Sequence, residues 1–410
     1  MNKWFAKLGP GLMLAAAAVG VSHLVFATQA GANYGLSFIW LIVLISVLKY
    51  PAFRFAVDYA SLTDRSLVHA YAHLGRAAMT WLFVGLVVDI FVATTAVALV
   101  TAGLFISVLG LPFSAPYVAI AVCLVSAAIL LNGHYRKAER IVKTLVLVFS
   151  ILAIAVTLLA LPELGSGGRD LFGDITPSRS LAVFAIAMAG WMPMPLTGAI
   201  FISMWAREKK RSSSLQIEHA SARHDLNFGW ILTIGLAVCF AIMGAAILFQ
   251  TDRVAPSSAG AFAAELLSIF TTVVGDWSYP LIAAAAIAVM WSGVFALMDA
   301  IPRVTARIVD HMSGRGEEAP SRYSFFLGVQ FAGVTVILLF LMGSFGTFIA
   351  FATSAGFITA PALAYYNYRA VKSAEVAAHY VPSRGLLVWH WIGFTALAIF
   401  AVAFLIERLT

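Results

Sequence analysis

Apolar runs of roughly 17 to 25 residues alternate with short polar or basic loops along the chain. They fall at 10–33, 36–56, 80–109, 116–132, 141–161, 181–205, 227–249, 280–300, 325–342, 345–367 and 386–406. A helix needs about 20 residues to cross a hydrocarbon core about 30 Å thick, so the pattern predicts eleven membrane-spanning helices. Segments of about ten residues with strict apolar and polar alternation, the mark of a membrane barrel, are missing. The first run is too long for a signal peptide and lacks a convincing cleavage site, so it is expected to be retained.

Composition agrees, because 61% of the residues are hydrophobic and 11% charged, against about 25% charged in soluble domains. The net charge of +7 does not imply nucleic acid, since the basic residues are scattered over several loops and form no single patch. With the N-terminus placed in the cytoplasm, 22 of the 26 lysines and arginines lie on the inner side, leaving Arg169, Arg179, Arg253 and Arg408 outside. That bias predicts a multi-pass protein of a bacterial-type inner membrane with its C-terminus outside. Lys49 and Arg54, beside Pro51 at the inner end of the second run, are expected to snorkel to the interface as anchors. Cys123 and Cys239 lie in separate apolar runs, where they read as small buried hydrophobes without a disulfide framework.

Two runs are interrupted. The first carries Gly20, Ser22 and His23 at its centre, and the sixth reads "AMAGWMPMPLTGA", with Gly190, Pro193 and Pro195. Each proline lacks an N–H and removes a helical hydrogen bond, so regular helix is not expected through Met192 to Pro195. Irregular backbone at membrane depth survives only when it is buried in protein or lines a cavity. The first and sixth runs also open two five-helix sets, about 8–162 and about 180–368, with an additional helix at about 386–406. An offset of five spans inverts one half relative to the other, which is the arrangement of an inverted-repeat secondary transporter with its breaks at the midplane.

Several motifs carry a family resemblance. "LGPG" precedes the first run, "TQAGANYGLSFIW" follows its break, and Met192 and Pro193 form an "MP" in the sixth run. On these, the chain resembles the NRAMP family, proton-coupled divalent metal transporters with a LeuT-like fold. The resemblance implies an all-α integral membrane protein of eleven transmembrane helices, a 5+5 inverted repeat with helices 1 and 6 broken and one helix extra. It spans most of the chain by the order of the runs.

The departures from that family concern the site itself. Its aspartate-proline-glycine-asparagine motif aligns with Gly20, Val21, Ser22 and His23, so the metal-binding carboxylate is replaced by glycine. In the sixth helix Met192 is retained, the motif's histidine becomes Met194, its asparagine becomes Pro195, and a later histidine becomes Ala199. The family's proton-route aspartate aligns with Asp89 and its nearby glutamate with Val92, while Thr353 falls opposite a polar substrate-site residue.

Hard cations prefer carboxylate oxygens, and neither break offers one. His23, Met192 and Met194, with free carbonyls around Gly20 and Ala189, suit Cu(I) or a late divalent metal better. The expected substrate-binding set is thus Gly20, His23, Ala189, Met192, Met194 and Thr353, with Asp89 and His23 as proton carriers. The alternative cargo is a small organic solute, bound by half-helix N-termini and by His23, against Phe26, Trp191 and Tyr34. Asp299 and Arg303 stand at helical spacing for an ion pair. His69 and His73 have a zinc-compatible i, i+4 spacing, but in a basic loop they read as a solvated face. With no P-loop, dinucleotide fingerprint or triad context, the chain reads as no enzyme or ATP-driven pump and as needing no cofactor. Its partners are the solute, protons and the bilayer.

Overall fold

The computed structural model describes residues 8–409 except 133–134, 165–169, 172–177, 213–217, 250–258, 316–321 and 342–344. The first half runs α1 (Pro10–Ala18), α2 (Thr28–Tyr34), α3 (Ile39–Thr63), α4 (Leu67–Leu74), α5 (Arg76–Val88), α6 (Thr94–Leu109), α7 (Ala115–Asn132) and α8 (Tyr135–Ala160). The second runs α9 (Arg179–Trp191), α10 (Gly198–Ser212), α11 (His219–Ile247), α12 (Ala259–Val274), α13 (Tyr279–Met312), α14 (Tyr323–Val336), α15 (Phe345–Val371), α16 (Ala374–Ala377) and α17 (Arg384–Leu409). Wider π-turns join α1 to α2 at Val21–Ala27 and α5 to α6 at Asp89–Ala93. The described residues are helical without a strand.

Among the described residues, eight helical stretches are long and apolar enough to cross a membrane, and α9 is a shorter apolar helix. Length and composition alone therefore do not reproduce the eleven runs. The first and second merge in one stretch from Ser22 to Thr63, and the sixth is split between α9 and α10. Large apolar side chains such as Ile151, Ile231 and Phe340 stay outside the core, where lipid tails solvate them. This is a multi-pass membrane protein.

Three helices, α4, α12 and the one-turn α16, answer to none of the predicted runs. Helix α12 buries Ala263 and Leu267, four residues apart on one face, and packs on α6. Short α4 buries Leu67, Val68 and Tyr71, and the Tyr71 hydroxyl donates to Asn367 Oδ1 at 2.8 Å. His69, on the same helix, is buried and stacks on His73 with ring centroids 4.2 Å apart. The expected solvated histidine face is thus corrected for His69, which apolar neighbours at Leu67, Val68 and Tyr71 turn inward, while His73 stays exposed.

The interrupted first span is fastened to α11 along both its halves by glycines. A Cβ on Gly11 would stand 2.0 Å from the Asp225 carbonyl oxygen, and one on Gly229 would stand 2.1 Å from the Gly11 oxygen. Farther along, a Cβ on Gly31 would meet the Ala241 oxygen at 1.9 Å, and one on Gly244 the Thr28 oxygen at 2.1 Å. Where lipid removes the usual hydrophobic drive, such close backbone approach supplies the packing that holds helices together. It sets α1 and α2 against one continuous helix despite the gap between them.

Candidate solute site at the two helix breaks

At the first break α1 stops at Ala18, and Gly20 adopts φ −143°, ψ −133°, outside the helical region. The carbonyls freed there need donors. Ser22 Oγ donates to Ala18 O at 2.9 Å and lies 2.8 Å from His23 Nδ1. His23 is fully buried, and its Nε2 stands 2.9 Å from Thr233 O on α11. A carbonyl can only accept, so Nε2 carries the proton; in the neutral ring Nδ1 is then an acceptor, and the one proton of the Ser22 hydroxyl serves either it or the Ala18 carbonyl. Both ring nitrogens are engaged within the protein.

At the second break α9 ends at Trp191, Met192 turns extended, and α10 resumes at Gly198. Because the chain leaves helical geometry between Trp191 and Gly198, the carbonyls of Gly190, Met192 and Met194 lose the i+4 amides that would serve them in a helix. They converge instead on Lys49 of α3, whose Nζ donates at 2.7, 2.7 and 3.3 Å respectively. An ammonium has three N–H donors, and here each finds one oxygen. Lys49 is wholly buried, which corrects its reading as an interfacial anchor. A buried charge must be hydrogen-bonded, and the broken segment is the local source of spare oxygens.

The two breaks meet. Ser22 Oγ lies 3.5 Å from Pro193 O, and between the segments is a cavity of about 20 Å³ lined by Gly20, Ser22, Trp191, Met194, Thr197 and Phe201, among others. That volume is water-sized, so anything larger requires the breaks to part. Thr197 Oγ1 is buried without a hydrogen-bond partner among the described residues. It is a polar atom on a cavity-lining residue that the described residues leave unpaired.

The expected site residues separate into groups. Gly20, Ser22, Pro193, Met194 and Pro195 line the cavity, and Gly190 contributes through its carbonyl. Met192, Ala189 and His23 are buried nearby but do not line it. The Met194 thioether folds back on α10, its Sδ only 2.5 Å from where a Gly198 Cβ would stand. Asp89 opens the π-turn and Thr353 lies within α15, but both side chains lie outside the described residues. Among those described, no three His, Cys, Asp or Glu side chains gather to hold a metal ion. Of the aromatics, Trp191 faces the cavity. Phe26 and Tyr34 instead pack with Phe184, at 5.8 and 5.6 Å between centroids.

Lys49 and Thr197 escaped the sequence reading. Lys49 stands 22 residues or more from either break and could be assigned only as an anchor beside Pro51. Thr197 follows Pro195 and Leu196 directly, and its place next to the break was the available hint.

Known proteins bear on this geometry. The sequence model of the family described as natural resistance-associated macrophage protein-like, Nramp, matches residues 11–407. The chain belongs to the Nramp family. A 30% identical relative, the uncharacterized protein PM0681 of Pasteurella multocida (strain Pm70), aligns over 98% of this Nramp chain and 93% of its own. Among solved structures, a mutant of the Eremococcus coleocola manganese transporter superposes with a TM-score of 0.72 at 14% identity, covering 98% of this chain and 86% of that one. MhsT in complex with L-phenylalanine gives 0.64 at 15% identity, over 97% of both chains. Mhp1, a nucleobase-cation-symport-1 family transporter with bromovinylhydantoin bound, gives 0.62 at 16%, over 98% and 87%. At these identities the likenesses establish the fold, a LeuT-like helical bundle with broken first and sixth helices.

Proposed function

We propose that this Nramp-family chain is a secondary active transporter that holds a small solute between its two helix breaks and carries it across the bilayer by alternating access. The observation that supports this most directly is the juxtaposition of the breaks, with Ser22 3.5 Å from the Pro193 carbonyl and a cavity between them. The loop charges support a cytoplasmic N-terminus in a bacterial-type inner membrane. Asp89, in the π-turn between α5 and α6, is the proposed proton carrier.

Family membership and the likeness to a manganese transporter support a metal cation as cargo. The candidate donors are His23, Met192 and Met194, a soft or borderline set; of these Met194 lines the cavity, so Met192 must turn inward and His23 must leave Ser22 or Thr233. A second reading, a small organic solute, is favoured by Lys49. Its ammonium is bonded to the carbonyl of Met194, which lines the cavity, and a fixed positive charge next to the cavity wall disfavours a second cation there. The bound L-phenylalanine of MhsT and bromovinylhydantoin of Mhp1 lend this reading precedent on the same fold.

Calorimetric titration of the purified protein with Mn²⁺, Zn²⁺, Ni²⁺ and, under reducing conditions, Cu(I) separates the two. Heat for one ion that His23→Ala abolishes supports the metal. Absence of heat for every ion, with saturable thermal stabilisation by members of a panel of small carboxylates, supports the organic solute. If no ion and no solute binds, the transporter reading of this site is lost.

A further inference from the structure

We propose that Lys49 is a tethered cation: its ammonium permanently fills a cation position built from the carbonyls of Gly190, Met192 and Met194, so that the broken α9–α10 segment needs no inorganic ion to hold its shape. Three backbone oxygens turned toward one point form a cation site in chemical terms, since carbonyl dipoles present their negative ends together. Left empty within a bundle, such a site would keep three unpaired acceptors away from water. The protein meets this requirement from α3, six helices before α9, whose end forms the break. The three donors of the ammonium match these three oxygens one to one.

Two further observations fit a purpose-built site. Lys49 has no exposed surface at all, although a lysine with a four-carbon stem reaches water wherever a path exists. All three acceptors lie within five residues of the break and on both sides of Pro193, so the ammonium bridges the end of α9 to the chain entering α10. Any solute cation must therefore use other donors, and the ligand class that this cage selects is a primary ammonium.

The experiment uses the full chain, purified in detergent, and follows thermal unfolding of the parent, Lys49→Ala and Lys49→Met. Removing the side chain beyond Cβ opens a channel for n-propylammonium, which carries the same three donors. We expect Lys49→Ala to melt lower than the parent and to recover saturably, by roughly 2–4 °C or more, with n-propylammonium. Tetramethylammonium, a cation without N–H donors, and n-propanol should not restore it, and the parent should respond to none of the three. Melting of Lys49→Ala at the parent's temperature would overturn the proposal. So would full recovery in Lys49→Met, which would make the side chain a space-filler.

Should Lys49→Ala fail to fold, reductive methylation of the parent read by mass spectrometry decides the matter. Lys49 should stay unmodified while exposed Lys372 reacts, and equal labelling of the two sinks the idea. These readouts are stability and reactivity, so their failure leaves the transport reading standing, and a failed solute titration leaves the tethered cation intact.

Discussion

The carboxylate of Asp225 grips the start of α1 from both sides: Gly9 N donates to Oδ1 at 2.9 Å and Gly11 N to Oδ2 at 2.7 Å. Orphan N–H groups at a helix N-terminus attract negative charge, and here a residue more than two hundred positions away supplies it. Lys143 donates to the neighbouring Leu8 carbonyl, tying α8 to the same point. Substituting Asp225→Asn replaces one acceptor oxygen by an NH₂ facing an N–H. The expected cost is about 1–3 kcal/mol, visible as a lower melting temperature and as faster hydrogen exchange of the Gly9 and Gly11 amides. Unchanged exchange at both amides would refute the clamp.

The glycine seam between the first span and α11 makes a sharper steric prediction. At Gly31 a methyl group would overlap the Ala241 carbonyl at 1.9 Å, whereas at Gly235 on the same α11 a Cβ meets nothing within 4 Å. Gly31→Ala should therefore abolish monodisperse protein in fluorescence-detected size exclusion. Gly235→Ala should leave the profile intact and gain slightly from helix propensity, about 1 kcal/mol. Equivalent profiles for both variants would mean that the two helices part at little cost.

What could be read from the sequence, and what could not, follows from the range of the forces involved. Both breaks were legible because they are local: Gly20 with Ser22 and His23, and the prolines at 193 and 195, disturb the helix that contains them. The membrane-spanning pattern was legible because the bilayer imposes it run by run. The Asp299–Arg303 ion pair, at 2.7 Å, was also legible, because four residues on one helix bring the partners together. Lys49 and Asp225 act through tertiary pairings with distant segments, Thr197 through a cavity that exists only once the two breaks meet, and a lone lysine near a helix end has the same local sequence whether it snorkels out or turns in. His23 was placed correctly in the break, but its pairing with Thr233 O depends on α11 lying alongside.

Thr197 offers a test of the cavity that spares the fold. Its hydroxyl is buried without a partner among the described residues, so the isosteric change Thr197→Val removes an unsatisfied polar atom at no cost in volume. Stability should hold or rise by up to about 1 kcal/mol, in contrast to the usual outcome of altering a buried polar residue. If that oxygen meets the solute, the same variant should bind at least about tenfold more weakly any ion or carboxylate that the parent binds in titration, equivalent to about 1.4 kcal/mol. A Thr197→Val protein that melts lower but binds equally well would assign the hydroxyl to the fold and remove it from the site.

The Asp299–Arg303 pair shows how far burial changes the meaning of an ion pair. Arg303 donates from Nε at 2.9 Å and from Nη2 at 2.7 Å to the same Asp299 oxygen, and Trp205 Nε1 of α10 donates to the other at 3.3 Å. The guanidinium also lies 4.7 Å from the centroid of the Tyr323 ring on α14, so three helices converge on one nearly inaccessible carboxylate. Removing one partner of such a pair leaves the other charge buried and typically costs about 3–5 kcal/mol, while removing both together costs less than the sum. Asp299→Leu should therefore lower the melting temperature strongly, and adding Arg303→Met should recover part of that loss. A double variant no more stable than Asp299→Leu alone would show that the carboxylate acts mainly through Trp205, as a tie between α10 and α13.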